Sequence, residues 1–207
     1  LKFVVNFQRE ECHVDQYKID IFKRILHPHK VLFIVNNIAL VKPDEVVFLN
    51  EEHRKYHNDY QGKWSIIPNL TQKLEMKSKP ELDKIAGVIG SFDFNKQTHI
   101  SIQRALDDNC EKVYLFGEPF GEYFEQYVKP LVNGKVIVKG FYSNKQEMYD
   151  MVGRVYLSSL SEVASLVKDE CEITGTKFYG TNSTVHPNLK SSSEDILNKW
   201  KTVLNLN

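Results

Sequence analysis

The sequence has no excess of positive or negative charge. The 207 residues include 27 basic and 27 acidic side chains, so the formal net charge is zero. A chain without net charge has no long-range field that would attract nucleic acid or an anionic membrane surface, and neither partner is expected. Long apolar runs are missing as well. Asn36 and Asn37 interrupt the longest run, residues 31–41, which is well short of the roughly 20 residues that a membrane span needs.

Cysteine is scarce, and its spacing shows no metal or disulfide pattern. The three cysteines, Cys12, Cys110 and Cys171, lie far apart and form no Cys-x-x-Cys pair, so a disulfide framework is not expected. His27 and His29 flank a proline but have no thiolate near them in the sequence, and we predict no metal site there. The start of the chain also lacks the charged and apolar regions of a secretory signal. These features predict a soluble, cytoplasmic protein.

The chain length suits one α/β domain and part of another. We predict a partial α/β segment with a linker at residues 1–78, a Rossmann-like domain at 79–190 and a helix at 191–207 that packs back toward the first segment. The boundary falls in the polar, lysine-rich stretch 71–82, which lacks a sustained apolar period.

Strand-like runs alternate with segments of helical period from residue 84 onward. This alternation is typical of βα units, which build a parallel sheet with helices on both faces. The strands predicted for this part are Ile85–Ile89, Lys112–Phe116, Lys135–Lys139, Arg154–Leu157 and Thr176–Tyr179. Those predicted for the first segment are Lys2–Phe7, Val31–Val35, Glu45–Leu49 and Ser65–Ile67. The fold class is therefore α/β.

Several helices can be placed by their apolar spacing and by capping residues. One apolar face is formed by Tyr123, Phe124, Tyr127, Val128 and Leu131, and we expect it to pack on the sheet. Asn144 with Glu147, and Ser191 with Glu194, are predicted to cap the helices that follow them.

A polar cluster is expected on a short helix after the Glu45–Leu49 strand. It consists of His53, Arg54, Tyr56 and His57, and we predict that these side chains lie at the surface.

Two glutamates, Glu162 and Glu170, follow the strand predicted at Arg154–Leu157. In an open α/β sheet, carboxylates beyond the carboxyl end of a strand lie in the crevice where ligands bind. From the residues alone, a pair of solvated acids at helix ends remains the simpler interpretation.

The spacing of these glutamates resembles a known family. Seven residues separate Glu162 from Glu170, and Gly175-Thr176 follows, as in the Glu-x7-Glu segment of retaining GT-B glycosyltransferases such as the glycogen and sucrose synthase-like and polysaccharide-biosynthesis enzymes. Other landmarks of that family are similar and occur in order at Ile66–Asn69, Gly87–Lys96, Tyr114–Gly117 and Val136–Phe141.

The resemblance implies a role for each matching residue. Glu170 would accept hydrogen bonds from the ribose hydroxyls of a nucleotide sugar, and Glu162 would contact the transferred sugar. Backbone N–H groups of Ser165, Leu166 and Val167 would meet the diphosphate at a helix start.

The remaining matches surround the phosphates and the base. Lys96, which follows the turn at Gly90 and Ser91, would neutralise the departing phosphates. The residues from Gly140 through Phe141 to Tyr142 would border the base, and Gly117 would allow a close approach of the backbone. Lysine and helix dipole would supply the positive charge, so the resemblance implies no metal and no cofactor beyond the donor.

The sequence also departs from the family pattern. Ser91 stands where the family has an arginine, which removes one of two phosphate cations. Val163-Ala164-Ser165 replaces Gly-Phe-Pro, and Lys177 replaces a proline. These changes indicate a modified donor site.

The resemblance implies a GT-B transferase that moves a hexose, with retention, from a nucleoside-diphosphate sugar to a hydroxyl acceptor such as a polysaccharide, glycan or lipid. An alternative is a non-catalytic nucleotide-sugar-binding or scaffold domain derived from such an enzyme. A third, a flavodoxin-like signalling module, leaves the two glutamates without a role. A homodimer or a missing N-terminal domain could cover apolar surface that an incomplete first segment would expose.

Overall fold

The computed structural model describes residues 4–6, 45–55, 57–58, 60–71, 73–119, 121–162, 164–181 and 192–204. The features predicted from sequence that lie outside these residues are Cys12, His27, His29, the strand Val31–Val35, Tyr56, Val163 and Ser191.

Eight strands are present in the described residues. In chain order they are β1 (Val4–Asn6), β2 (Glu45–Phe48), β3 (Trp64–Ile66), β4 (Ile85–Ile89), β5 (Lys112–Phe116), β6 (Val136–Val138), β7 (Arg154–Tyr156) and β8 (Lys177–Tyr179). Every predicted strand that falls in the described residues is therefore found, and those at β4 and β5 match to the residue.

Five α-helices lie in the described residues, four of them between strands and the last after β8. The α-helices are α1 (Glu51–Lys55), α2 (Thr98–Asp107), α3 (Lys145–Asp150), α4 (Leu166–Thr174) and α5 (Ser193–Leu204). Short 3-10 turns lie at Pro80–Leu82 and Lys129–Leu131, and a π-helical turn lies at Phe124–Val128.

The chain divides into two compact units, one formed by Leu1–Leu70 with Pro187–Asn207 and the other by Thr71–His186. In the first unit, β1, β2 and β3 form a parallel sheet in that order. Ile196 and Val203 of α5 pack on Val47 and Ile67, and the amphipathic spacing of α5 accounts for this burial.

The second unit contains a five-stranded parallel sheet in the order β6-β5-β4-β7-β8. β4 is central, and the chain passes from it first toward β5 and β6 and later toward β7 and β8. The strand order thus reverses beside β4, and ligands of open α/β sheets bind outside the carboxyl ends at such a point.

Helices cover both faces of this sheet. On one face, Val88 and Leu115 pack with Ile102 of α2 and with Phe124. On the other face, Phe116 and Val155 pack with Tyr149 of α3 and Cys171 of α4. Neighbouring strand residues such as Leu115 and Phe116 face opposite sides, as the two-residue period requires. The predicted α/β parallel sheet with helices on both faces is confirmed.

The apolar segment 123–131 differs from the regular helix predicted for it. The prediction of five packed side chains was wrong for Tyr127, which is 39% exposed, although Tyr123, Phe124 and Val128 are buried. Pro130 has no N–H to donate to the carbonyl four residues earlier, and its ring would clash there. The π and 3-10 turns that replace the α-helix rotate Tyr127 away from the core.

Capping residues set two helix starts. The Asn144 side chain accepts from the backbone N–H groups of Gln146 and Glu147, as predicted. At α5 the prediction was one position off. Ser192 accepts from the Asp195 N–H at 3.1 Å and donates to the Asp195 carboxylate at 2.7 Å, so its hydroxyl caps the helix start.

The surface position predicted for the polar cluster after β2 was wrong for His53. Its side chain is buried, its Nδ1 accepts from the Leu49 N–H at 3.3 Å, and Asn50 Oδ1 accepts from the His53 N–H at 2.7 Å. Burial, with a smaller contribution from His57, lowers the pKa of His53 to about 4. Side-chain burial on a five-residue helix leaves no periodic signal in the sequence.

The stretch predicted as a linker packs on the second unit. Lys79 is largely buried and donates to the Tyr149 carbonyl at 2.7 Å, while Lys77 forms an ion pair with Asp150. Leu74 contacts the same hydrophobic cluster as α3. In the part of the chain that the structure describes, no helix has the length and apolar character to cross a bilayer.

Candidate functional site

A cavity of about 760 Å³ lies at the carboxyl edge of the five-stranded sheet. The loops after β4, β5 and β6 and the first turns of α3 and α4 form its walls. The residues that line it are Ile89, Gly90, Ser91, Phe92, Asp93, Phe116, Gly117, Glu118, Gly121, Glu122, Tyr123, Phe141, Tyr142, Lys145, Met148, Leu166, Val167 and Glu170. This position beside β4 is the place that the strand order indicates for a ligand.

Glu170 is the buried acid of this cavity. Its side chain is 2% exposed, and its two carboxylate oxygens have separate partners. Lys145 pairs with Oε1, and the Tyr149 hydroxyl donates to Oε2 at 2.9 Å. Burial chiefly, with the nearby Cys171 and Glu170, raises the pKa of Tyr149 far above its ordinary value, so the phenol stays protonated and remains a donor.

Lys96 and Glu162 form an ion pair that joins the loop after β4 to the loop after β7. Ser159 Oγ donates to the same Glu162 oxygen at 2.9 Å. Asn95 reinforces the junction, since its side chain donates to the Ser161 carbonyl at 3.2 Å and its carbonyl accepts from the Leu160 N–H at 2.7 Å.

Lys96 borders the cavity without lining it. The Lys96 methylene carbons lie 3.8 and 3.9 Å from the position that a Cβ on Gly90 would occupy. Gly90 itself lines the cavity and has a φ of 133°, which favours glycine. Lys96 therefore stands at the edge formed by the first loop.

Close backbone contacts hold the three loops together. The Gly90 N–H donates to the Phe116 carbonyl at 3.0 Å, and the Gly117 N–H donates to the Gly140 carbonyl at 3.1 Å. A Cβ on Gly117 would lie 2.2 Å from the Gly90 carbonyl oxygen, so only glycine allows this approach. Gly140 has a φ of 78° and supports the turn that presents Phe141, which is 74% exposed.

Ser91 makes a hydrogen bond to an acid. Its hydroxyl donates to Asp93 Oδ2 at 2.6 Å, and the Lys96 N–H donates to Asp93 Oδ1 at 2.8 Å. The resemblance implied an arginine at position 91. The structure instead places the Asp93 carboxylate on the cavity wall, where a second cation was expected.

The wall of the cavity is rich in acid. The carboxylates on it are Asp93, Glu118, Glu122 and Glu170, and Lys145 is the single cation among the described lining residues. Although the whole sequence is neutral, this wall is not.

Ser165 caps the start of α4. Ser165 accepts from the Lys168 N–H at 3.3 Å and is buried, and Leu166 and Val167 on the first turn line the cavity. An unpaired N–H in such a turn favours an anion.

The structure brings most of the predicted site residues together. Those that line the cavity are Gly90, Ser91, Gly117, Phe141, Leu166, Val167 and Glu170. Those placed next to it through direct contacts or chain neighbours are Lys96, Glu162, Gly140 and Ser165.

Sequence reasoning missed the partners of Glu170 and of Ser91. Lys145 follows the capping Asn144 and resembles any lysine at a helix start, and Tyr149 was assigned to the helix core. Asp93 lies in a polar turn. The only signal for Lys145 and Tyr149 was their four-residue spacing, which puts them on one helical face.

Comparison with solved structures finds chains of the same architecture. TarM of S. aureus, in complex with Fondaparinux, alpha-GlcNAc-glycerol and UDP, is 17% identical over 99% of this chain and 43% of its own, with a TM-score of 0.62. HepE of Anabaena in complex with UDP is 15% identical over 99% of this chain and 63% of its own, with a TM-score of 0.60. WaaG, a glycosyltransferase involved in lipopolysaccharide biosynthesis, is 15% identical over 77% and 53%, with a TM-score of 0.51.

These likenesses establish a GT-B-type, Rossmann-like fold for the chain. At such low identity the likenesses show the fold alone. The chain spans about half the length of the solved structures it matches, from 43% of TarM to 63% of HepE. No family model matches the sequence, and no curated protein does either.

Proposed function

We propose that this chain is the nucleotide-sugar-binding part of a GT-B glycosyltransferase that transfers a hexose to a hydroxyl acceptor. The observation that carries the proposal is the buried carboxylate of Glu170 on the wall of a cavity at the point where the strand order reverses. The UDP complexes of HepE and TarM support a uridine nucleotide as the donor base. The acceptor, such as a polysaccharide, glycan or lipid, stays open.

Glu170 would bind the ribose in this proposal. An ionised carboxylate accepts only, and its oxygens have about four lone-pair sites, of which Lys145 and Tyr149 use two. The remaining sites suit the two ribose hydroxyls. Phe141, exposed on the rim beside Gly140, would contact the base.

Lys96 and Glu162 would serve the diphosphate and sugar end. A lysine ammonium has three donors, so Lys96 can keep one on Glu162 and direct others toward the leaving phosphate. Glu162 would contact the transferred sugar, and the N–H groups at the α4 start would meet the phosphates. Lysines and helix dipole would supply the positive charge, and retention of configuration is proposed from the Glu-x7-Glu resemblance.

A second candidate is a nucleotide-sugar-binding domain that does not transfer. Two observations favour it. Asp93 accepts from Ser91 where a cation was expected, and Glu162 already neutralises Lys96. Both features reduce the positive charge that would stabilise a departing diphosphate.

Release of nucleoside diphosphate separates the two candidates. The whole chain would be incubated with UDP-glucose, UDP-N-acetylglucosamine, GDP-mannose and ADP-glucose, and free nucleoside diphosphate measured. A transferase is expected to hydrolyse one donor slowly, and Lys96→Met should lower that rate on the order of 100- to 1,000-fold.

Lys135→Met is the matched control, since Lys135 is exposed and does not line the cavity. Donor binding without release in any reaction would favour the non-catalytic domain. Equal rates for Lys96→Met and the control would contradict the role given to Lys96.

A further inference from the structure

Lys145 is a cavity residue to which the resemblance gives no role. It lies at the first position of α3, lines the cavity and pairs with Glu170 Oε1. Its side chain is 31% exposed, whereas that of Glu170 is 2% exposed. The pair therefore has a buried carboxylate and a cation that reaches the cavity.

The Lys145–Glu170 pair keeps a defined set of donors and acceptors for a ligand. Glu170 accepts from Lys145 on one oxygen and from Tyr149 on the other, which leaves about two acceptor sites. The Lys145 ammonium uses one donor on Glu170, and a lysine has three. Two acceptors and two donors thus stand side by side at the cavity wall.

A vicinal diol has the complementary set, with two O–H donors and two oxygen acceptors. We propose that Lys145 acts with Glu170 to recognise the ribose diol, Lys145 donating to a hydroxyl oxygen while Glu170 accepts from the hydroxyl hydrogens. Lys145 is then a specificity-determining residue that selects ribonucleotides over deoxyribonucleotides. The inference rests on the proposed function, because it takes the ribose of a nucleotide as the ligand.

The charge of the wall explains why this lysine matters. Its other charged groups, Asp93, Glu118 and Glu122, are carboxylates, and none of them can donate to a hydroxyl oxygen when ionised. A site built to bond a substrate hydroxyl discriminates against the analogue that lacks it, since the site's polar groups are then left unpaired.

A purely structural Lys145 would behave differently. Neutralising the buried Glu170 requires a cation but no particular placement of its remaining donors. In that case substitution would change stability or overall affinity and leave the preference for ribose unchanged. The preference for ribonucleotides over deoxyribonucleotides therefore distinguishes the two roles of Lys145.

The test is calorimetric titration of the whole chain with UDP, ADP and GDP and with the 2′-deoxy and 3′-deoxy forms of each. For the nucleotide that binds, the ribose form should bind on the order of 10- to 150-fold more tightly than at least one deoxy form. Lys145→Met should reduce that ratio at least threefold, and the exposed-site control Lys135→Met should not.

Lys145→Arg covers the case in which Lys145→Met fails to fold. It keeps a cation beside Glu170 but displaces the donors, so the proposal again expects the ratio to fall at least threefold, while a structural role expects no change. Ratios within threefold of the unsubstituted chain for both deoxy forms would overturn the inference and leave nucleotide binding intact. No binding of any nucleotide by the unsubstituted chain would overturn the proposed function and this inference with it.

Discussion

The surroundings of single residues determine their burial, their pKa and their hydrogen-bond partners. His53 was expected at the surface, yet it is buried with a pKa lowered to about 4, mainly by burial. Glu170 was expected from its spacing and is found on the cavity wall, but its partners Lys145 and Tyr149 come from another helix. The partners of Glu170 arise from tertiary contacts, and the burial of His53 on a five-residue helix leaves no periodic signal, so local sequence patterns show neither.

His53 should make the first unit sensitive to acid. Its pKa is about 4 in the folded chain and near 6.5 when unfolded, so the unfolded chain binds the proton more tightly. The stability that neutral His53 contributes is fully present above pH 6.5 and is lost as the pH falls from 6.5 through 4. The total loss in free energy of unfolding is about 3 kcal/mol.

The measurement is urea unfolding from pH 7 to 4, followed by tryptophan fluorescence. Trp64 and Trp200 are the two tryptophans, and both belong to the first unit. His53→Gln should be less stable at pH 7 and should lose less free energy of unfolding on acidification. An identical pH slope in both chains would contradict the account of His53.

Gly117 should be intolerant of any side chain. A Cβ there would lie 2.2 Å from the Gly90 carbonyl oxygen, which is backbone and cannot move aside cheaply. We expect Gly117→Ala to destabilise the second unit by about 1 to 3 kcal/mol, measured by circular dichroism during urea unfolding. Gly134→Ala is the control, since nothing lies within 4 Å of its Cβ position. Equal stability of the two variants would count against the loop packing described for the site.

Elements were predictable where their burial follows a simple pattern. β4 and β5 were predicted to the residue because buried parallel strands form short apolar runs between polar or glycine positions. Segment 123–131 was not, because one proline changes the hydrogen bonding of the whole turn. The start of α5 was misplaced by one residue, since adjacent serines are equivalent as caps in sequence.

Ser192 should be the residue that caps α5. Loss of its hydroxyl leaves the Asp195 N–H without its side-chain acceptor. Ser192→Ala should therefore cost about 1 kcal/mol of stability, read from tryptophan fluorescence because Trp200 lies on this helix. Ser193→Ala, at the first helical position, should change it by only a few tenths of a kcal/mol. The reverse order of the two effects would show that the cap has been assigned to the wrong serine.

At the scale of the whole molecule, the sequence was sufficient for the fold class and for much of the candidate site. The order of the landmarks predicted a GT-B-type architecture, and the likeness to TarM and HepE supports that fold. The acidity of the cavity wall could not be predicted, because Asp93, Glu118 and Glu122 come from two different loops that only the folded sheet brings together. Net charge, which is zero, conceals this local imbalance.

Nucleotide binding by this chain should depend on Glu170, and calorimetric titration measures that dependence. The chain would be titrated with UDP, GDP and ADP beside Glu170→Gln and the control Glu172→Gln, an exposed acid on the same helix. We predict that one nucleotide binds, that Glu170→Gln weakens its binding on the order of 10- to 150-fold, and that Glu172→Gln does not. Binding unchanged by Glu170→Gln, or no binding by the unsubstituted chain, would contradict this prediction.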